Sequence, residues 1–428
     1  MMTHQDRLQA FHELRRTVRS SDSMLVVGVD VAKNKHHAFF GTPTGKTLWK
    51  KLLFDNSIHG FRSLQTMSAN LMIQHGLQNC VYGVEPTASY HKPLAEYLIR
   101  QGQQVVYVSN VAVKNNRKTL GGRWDKNDTK DAANVADLVS RGRCQFYDLA
   151  DGDILELRSL IAYRTKLKKL EHALRMRLRN NLVAQYFPEL DKLIPQGGQD
   201  ALVLDIIAQS LAPAQIAAMS FEEFRAKHQV QQRHIAQERR LRVIWELSQE
   251  SVGCALPEAA AWEGQMLVEQ LEHTRKIKKE LESRLKTTGQ RFPAYSRLLT
   301  LPGFGPIVTT MVLAAIGDAQ RFTNRKQVLR LAGLDLSASR SGTKSDSAIP
   351  VISKQGKAGL RYALFQAATI ASYKDETIRN HFTRLLKGRE QERGIKMKMR
   401  TKLAAKLLVV AWTLMKRNED YDPDHFKP

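Results

Sequence analysis

Cysteine is nearly absent: the 428 residues hold three, Cys80, Cys144 and Cys254, far apart and without a CxxC pair. That excludes a disulfide framework and a cysteine-based zinc site, and it fits buried thiols in a reducing cytoplasm. No apolar run reaches the roughly 18 residues that a transmembrane helix needs. The opening MMTHQDRLQAFHELRR lacks the apolar centre of a signal peptide, and no internal repeat is evident. Acids are scarce as well, because Asp+Glu 42 against Lys+Arg 66 leaves a net charge of +24. Such an excess speaks about partners rather than fold, and it points to nucleic acid and away from a membrane. A hydrophobic content of 43% over this length predicts two or three globular domains.

The chain is organised around residues 24–40, MLVVGVDVAKNKHHAFF. Met24 to Val29 is a short, β-branched-rich run of the kind that forms a buried strand. Asp30 ends it where a hydrophobe is expected. A carboxylate there either caps the following turn or is compensated by a divalent cation. Two further strands (His36–Phe40 and Lys46–Phe54) flank the Gly41–Gly45 turn, and a helix follows from Asn56 to about His75, capped by Asn56 or Ser57. Cys80 to Val84 reads as a strand with Glu85 at its end, as Asp30 stands at the first. A helix over Tyr90–Gln101 and a strand over Gln104–Ser109 complete an α/β pattern with a mixed sheet. The basic segment KNNRKTLGGRW then supplies Lys114, Arg117, Lys118 and Arg123 as backbone clamps for RNA or DNA, or simply as a solvated loop. Asp128 and Asp131 follow at the start of a helix, three apart and so on one face. The helix dipole alone would also favour acids there.

Beyond this domain, Leu155–Gln185 and Ala261–Leu285 are long, charged helices that predict an antiparallel coiled-coil arm or dimerisation device, with a mostly helical stretch between them. The PGFGP turn at 302–306 is helix-hairpin-helix-like, and Gly303 and Gly305 would expose backbone N–H groups to a phosphate. The loop from Asp335 to Gly359 sets Ser341 among Arg340, Lys344, Lys354 and Lys357, a hydroxyl among cations that suits attack on a phosphodiester. Solvated linkers share that composition. A basic-to-apolar helix with a stripe at Leu403, Leu407, Ala411 and Leu414 closes the chain.

Asp30, Glu85, Asp128 and Asp131 resemble the carboxylate set of RNase H-like, RuvC-type nucleases. Around Mg²⁺ (or Mn²⁺) such a set neutralises a phosphate and stabilises attacking and leaving oxygens. The surrounding motifs GVDVAKNKH, GVEPTASYH and KNDTKDAANVADL, with PGFGPIVTTMVLAAIGDAQRF, AGLDLSASRSGTKSD and ISKQGKAGLRYALFQAA, resemble those of IS110-family insertion-sequence transposases. The similarity covers about residues 24–185 and 290–417.

That resemblance implies an α/β RNase H-like (RuvC-type) DEDD domain at 23–150 behind a leader at 1–22. It further implies a coiled-coil arm with a helical insertion at 151–290, and a mainly α transposase domain at 291–428. It implies an RNA-guided DNA recombinase acting in the bacterial cytoplasm. In the family a non-coding bridge RNA pairs with double-stranded target and donor DNA, and a serine gives a covalent phosphoserine intermediate within a homodimer or homotetramer. The nucleophile falls on Ser341, with Ser339 and Ser337 as alternatives. The rival readings are a hydrolytic junction resolvase or nuclease with the same carboxylates, a sugar-kinase or actin-like ATPase, and a non-catalytic basic scaffold.

Overall fold

The structure is a computed structural model and describes residues 4–117, 128–146, 152–194, 201–228, 235–337 and 351–426. It divides into two compact units, one of residues 1–151 with 320–323, the other of 152–319 with 324–428.

In the first unit a six-stranded sheet runs in the order β3-β2-β1-β4-β5-β6. After helix α1 (His4–Ser20) come β1 (Met24–Asp30), β2 (Lys35–Gly41) and β3 (Thr47–Asp55), an antiparallel meander. Next follow α2 (Ile58–His75), β4 (Asn79–Val84), α3 (His91–Arg100) and β5 (Gln104–Tyr107), then α4 (Asn110–Arg117), α5 (Asp128–Ser140) and β6 (Gln145–Phe146). β4 lies parallel to β1, and β5 parallel to β4. Apolar side chains of both parities along β1 are buried, because helices cover both faces. Leu25, Val27 and Val29 pack with Phe61, Leu64, Leu94 and Leu98 of α2 and α3. Met24 and Val26 pack on the other face with Leu14, Val18, Val135 and Val139 of α1 and α5. The leader is therefore a structural helix of this unit, further tied by Arg19 to the Arg141 carbonyl. Ser57 caps α2 by accepting from the Gly60 N–H, and Gly76 ends it in the left-handed region at φ 64°.

Among its described residues the second unit is helical apart from one short ladder. α6 (Gly152–Arg177) passes through a π-helical stretch at Leu178–Val183 into α7 (Ala184–Tyr186). Short helices follow as α8 (Ala201–Gln209), α9 (Pro213–Ala217), α10 (Phe221–Lys227) and α11 (Ile235–Gln249), and then the long α12 (Glu258–Gly289). α6 and α12 pair antiparallel, as their ion pairs show: Arg291–Asp153 and Arg164–Glu282 near one end, Arg177–Glu263 at the other. The segment between them builds its own core from Leu202, Ile206, Phe224 and Ile244 against Leu182 and Leu271.

The chain continues with α13 (Ala294–Leu299), α14 (Pro306–Ile316) and α15 (Arg325–Ala332). β7 (Leu336–Ser337) and β8 (Val351–Ile352) then pair antiparallel on either side of residues 338–350. Last come α16 (Ala358–Lys374), α17 (Glu376–Leu386) and α18 (Ile395–Arg417), whose stripe of Leu403, Leu407, Ala411 and Leu414 is fully buried. Among the described residues no helix is long and apolar enough to cross a membrane.

Candidate active site

Side chains alternate along a strand, so the face Asp30 takes can be read from its neighbours. Met24 and Val26 pack in the α5-side core, and Gly28 lies directly under α5. Asp30 therefore faces α5 as well, half-buried at the end of β1. β4 repeats the pattern: Val81 belongs to the same core, Gly83 meets α5, and Glu85 follows in step. Val29 and Val84 are in register, and the Glu85 N–H donates to the Val29 carbonyl at 3.4 Å. Asp30 and Glu85 thus end adjacent parallel strands, whose backbones run about 4.8 Å apart.

Two glycines bring the helix to them. A Cβ on Gly28 would stand 2.2 Å from the Ala132 carbonyl oxygen and 2.5 Å from the Ala136 nitrogen, and one on Gly83 would stand 2.5 Å from Val139 Cγ2. Gly28 and Gly83 are paired across β1 and β4 and together form a shelf for α5. The helix runs antiparallel to β1, since Val26 shares a small cavity with Ala136, Asp137 and Ser140. Two strand residues advance about 6.6 Å, which matches about four helical residues. From Gly28, which sits between Ala132 and Ala136, the step to Asp30 leads back to the first turn of α5, where Asp128 and Asp131 lie.

Asp131 is 2% exposed, and its Oδ1 lies 2.7 Å from a terminal guanidinium nitrogen of Arg117. Among the described residues that Oδ1 nevertheless has no aligned hydrogen-bond donor, so the contact with Arg117 is one of charge. Arg117 ends α4, which Asn116 fastens to α5 by donating to Asn134 Oδ1 at 2.7 Å and to Asp137 Oδ2 at 2.6 Å. Asn134 returns a bond to the Val113 carbonyl. The segment read as a basic loop is thus helical as far as Arg117, whose charge points at an acid. Lys114 is exposed on the same helix, and Lys118 and Arg123 lie outside the described residues.

Hard carboxylate oxygens suit Mg²⁺ or Mn²⁺, although the buried Asp131 Oδ1 is already paired with Arg117. Among the described residues no three carboxylate, imidazole or thiol groups stand close enough to hold a metal ion. The Asp128 side chain is outside that set. By donor chemistry the acids suit such an ion, and Asp30 and Glu85 share one face and one strand end. Asp30, Glu85 and Asp131 do not by themselves stand close enough to form a ligand set, and Arg117 supplies the positive charge at Asp131.

Elsewhere the picture is mixed. Gly303, at φ +86°, packs its bare Cα against α16, where a Cβ would meet the Ala367 carbonyl oxygen at 2.3 Å. Gly305 faces open space at the N-cap of α14. Lys357 donates to the Ala315 carbonyl at the end of α14, and Lys354 is exposed in a left-handed turn at φ 55°. Ser341, Ser339, Arg340 and Lys344 lie outside the described residues, as does the side chain of Ser337.

Residues 27–188 match the transposase family model DEDD_Tnp_IS110, and residues 295–383 match the model of the IS116/IS110/IS902 transposase family. Together the matches span more than half of the chain. The chain belongs to the IS110 family of transposases. It is similar to the pilin gene-inverting proteins of Moraxella bovis and Moraxella lacunata, each 24% identical over 404 residues that cover 94% of this chain and 98% of the relative. This IS110-family chain is accordingly an enzyme of DNA recombination. Sequence reasoning missed three of its site-building residues: Gly28, Gly83 and Asn116. The glycines carried a signal, since glycine inside a strand often marks close backbone approach; Asn116 carried none, because its partners are 18 and 21 residues away.

Proposed function

We propose that this transposase cuts and rejoins DNA with two chemistries, a carboxylate-held divalent cation and a serine nucleophile, and that an RNA guide selects its DNA. The observation that carries the reading is the meeting of Asp30 and Glu85 on one face and one end of the sheet, beneath the first turn of α5. Two acids ending adjacent strands repel one another and a phosphate alike, and a divalent cation between them would relieve both repulsions.

Asp30, Glu85, Asp128 and Asp131 would hold the ion, which when bound neutralises the phosphate and stabilises developing oxygen charge. Asp131 is fixed by burial and by Arg117, and Glu85 by its backbone bond to Val29. Ser341 is the proposed nucleophile. Its Oγ forms a bond to phosphorus, the bond from phosphorus to a DNA oxygen breaks, and that oxygen leaves as a hydroxyl while the serine proton is lost. The ester keeps the phosphate bond energy for rejoining, which strand exchange requires and hydrolysis does not. The relatives' names describe the inversion of a gene, an outcome that needs every cut strand resealed.

The test uses the full chain purified with its bound nucleic acid. Sequencing should recover one defined RNA. Asp30→Asn or Glu85→Gln should reduce cleavage of a DNA carrying the element's ends by at least about a hundredfold. Cleavage that proceeds without RNA and survives both substitutions would overturn the proposal. Cleavage that survives Ser341→Ala would favour the hydrolytic reading.

A further inference from the structure

A cavity of about 590 Å³ opens between α6, the first turn of α14, and α16, all within the second unit. From α6 it receives Lys168, Lys169 and His172, and from α16 Tyr362. Acids nearby are already engaged: Glu282 holds Arg164 at 2.6 Å, and Glu171 holds Lys278 and Arg275. Lys168, Lys169 and His172 are left with no acid at ion-pair distance among the described residues. Burial first, and then repulsion from Arg164 and Lys278, outweigh the pull of Glu171 and Glu282 and hold the Lys168 ammonium below the usual lysine range. An incoming anion would relieve that repulsion.

The opposite wall supplies an aromatic face. Tyr362 is 53% exposed, and the Gln366 side-chain amide donates to its hydroxyl at 2.9 Å. Lys168 Nζ stands 5.3 Å from the ring centroid, which couples cation and ring in one place. The third wall is Ile307 and Val308 in the first turn of α14. Their N–H groups have no acceptor within the helix and carry the positive end of its dipole. Gly305, just before, leaves the approach open.

We propose that this cavity binds one unpaired nucleotide, its base stacked on Tyr362 and its phosphate between the α6 ammonium groups and the α14 N-terminus. The volume is that of a small-ligand pocket. A base still paired in a duplex cannot reach the ring, whereas a splayed base can. The inference rests on the reading of the chain as a nucleic-acid enzyme. RNA or a displaced DNA strand would present the same chemistry.

The test measures binding of the full chain to 2-aminopurine-labelled single-stranded RNA and DNA and to a duplex of the same sequence. Tyr362→Ala should weaken single-strand binding by at least about tenfold and leave the duplex within about twofold. Tyr362→Phe, which keeps the ring, should stay within about twofold of the parent, and Lys168→Gln with Lys169→Gln should weaken single-strand binding to a similar degree as Tyr362→Ala. A loss confined to RNA or to DNA identifies the source, and either supports the site. Unchanged single-strand binding by Tyr362→Ala would overturn it. So would an equal loss on duplex, or a changed oligomeric state marking the face as a contact between copies. If the parent binds no nucleic acid at all, the functional reading falls with it.

Discussion

Arg117 stands where a metal's charge would serve, 2.7 Å from a buried Asp131 oxygen. Replacing it by glutamine strands a carboxylate in the interior, which should cost about 1–3 kcal/mol. A cation entering among the acids would restore the missing charge. The melting temperature of Arg117→Gln should therefore drop in EDTA and rise more on adding Mn²⁺ than that of the parent, by calorimetry; equal rises would show that Arg117 and the metal do not share Asp131. His36 acts on the same end of the sheet. Its Nδ1 accepts from the Ala32 N–H at 3.2 Å, pinning the turn after Asp30, and the ring packs against Phe54 and Phe61. Burial, with help from His37 and against Asn56, lowers its pKa. The unfolded chain then binds the proton more readily, so the stabilisation is complete above the ordinary histidine pKa near 6.5 and is lost as pH falls below it. A pH series of melting curves should show that loss setting in as pH falls below about 6.5, and His36→Gln should flatten it.

At the scale of elements the site depends on how closely α5 can settle on β1 and β4. Gly28→Ala would drive a methyl into the Ala132 carbonyl and Ala136 nitrogen, which are backbone and cannot turn aside. Gly83→Ala meets chiefly the methyl groups of Val139 and Val135. Urea denaturation should accordingly rank Gly28→Ala as the more damaging, at about 2 kcal/mol or more, with metal affinity falling in the same order. The strands were legible because β-branched runs bounded by turn residues admit few other readings: β1, β2, β3 and β4 lie within a residue or two of where the sequence sets them. The two long helices and the buried stripe of α18 were legible from their periodicity. α4 was not. Its apolar content is slight, its C-terminal half is basic, and it is held by the Asn116, Asn134 and Asp137 network, which no local pattern announces. β6 has two residues and exists only through its pairing with β5. The two acids that end β1 and β4 were found because a charge closing an apolar strand is locally anomalous; that α5 would come to rest above them was not readable.

On the scale of the whole molecule, a net charge of +24 makes nucleic-acid binding largely electrostatic. Affinity for any duplex should fall steeply between 50 and 200 mM salt, by about a thousandfold if some six phosphates are engaged, whereas cleavage should remain selective for the transposase's own target sequence. A salt titration by fluorescence anisotropy measures the slope, and a nearly flat response would contradict a phosphate-based grip. The central claim is that a serine of the carboxy-terminal unit takes the DNA phosphate in a reaction that needs the acids of the amino-terminal unit. Its most direct test incubates the RNA-loaded protein with a suicide DNA substrate in Mg²⁺ and maps any protein–DNA adduct by mass spectrometry. The account predicts a phosphodiester on Ser341, lost in Ser341→Ala, in Asp30→Asn and in EDTA. Cleavage without an adduct, or an adduct that forms unchanged without the acids, would contradict it.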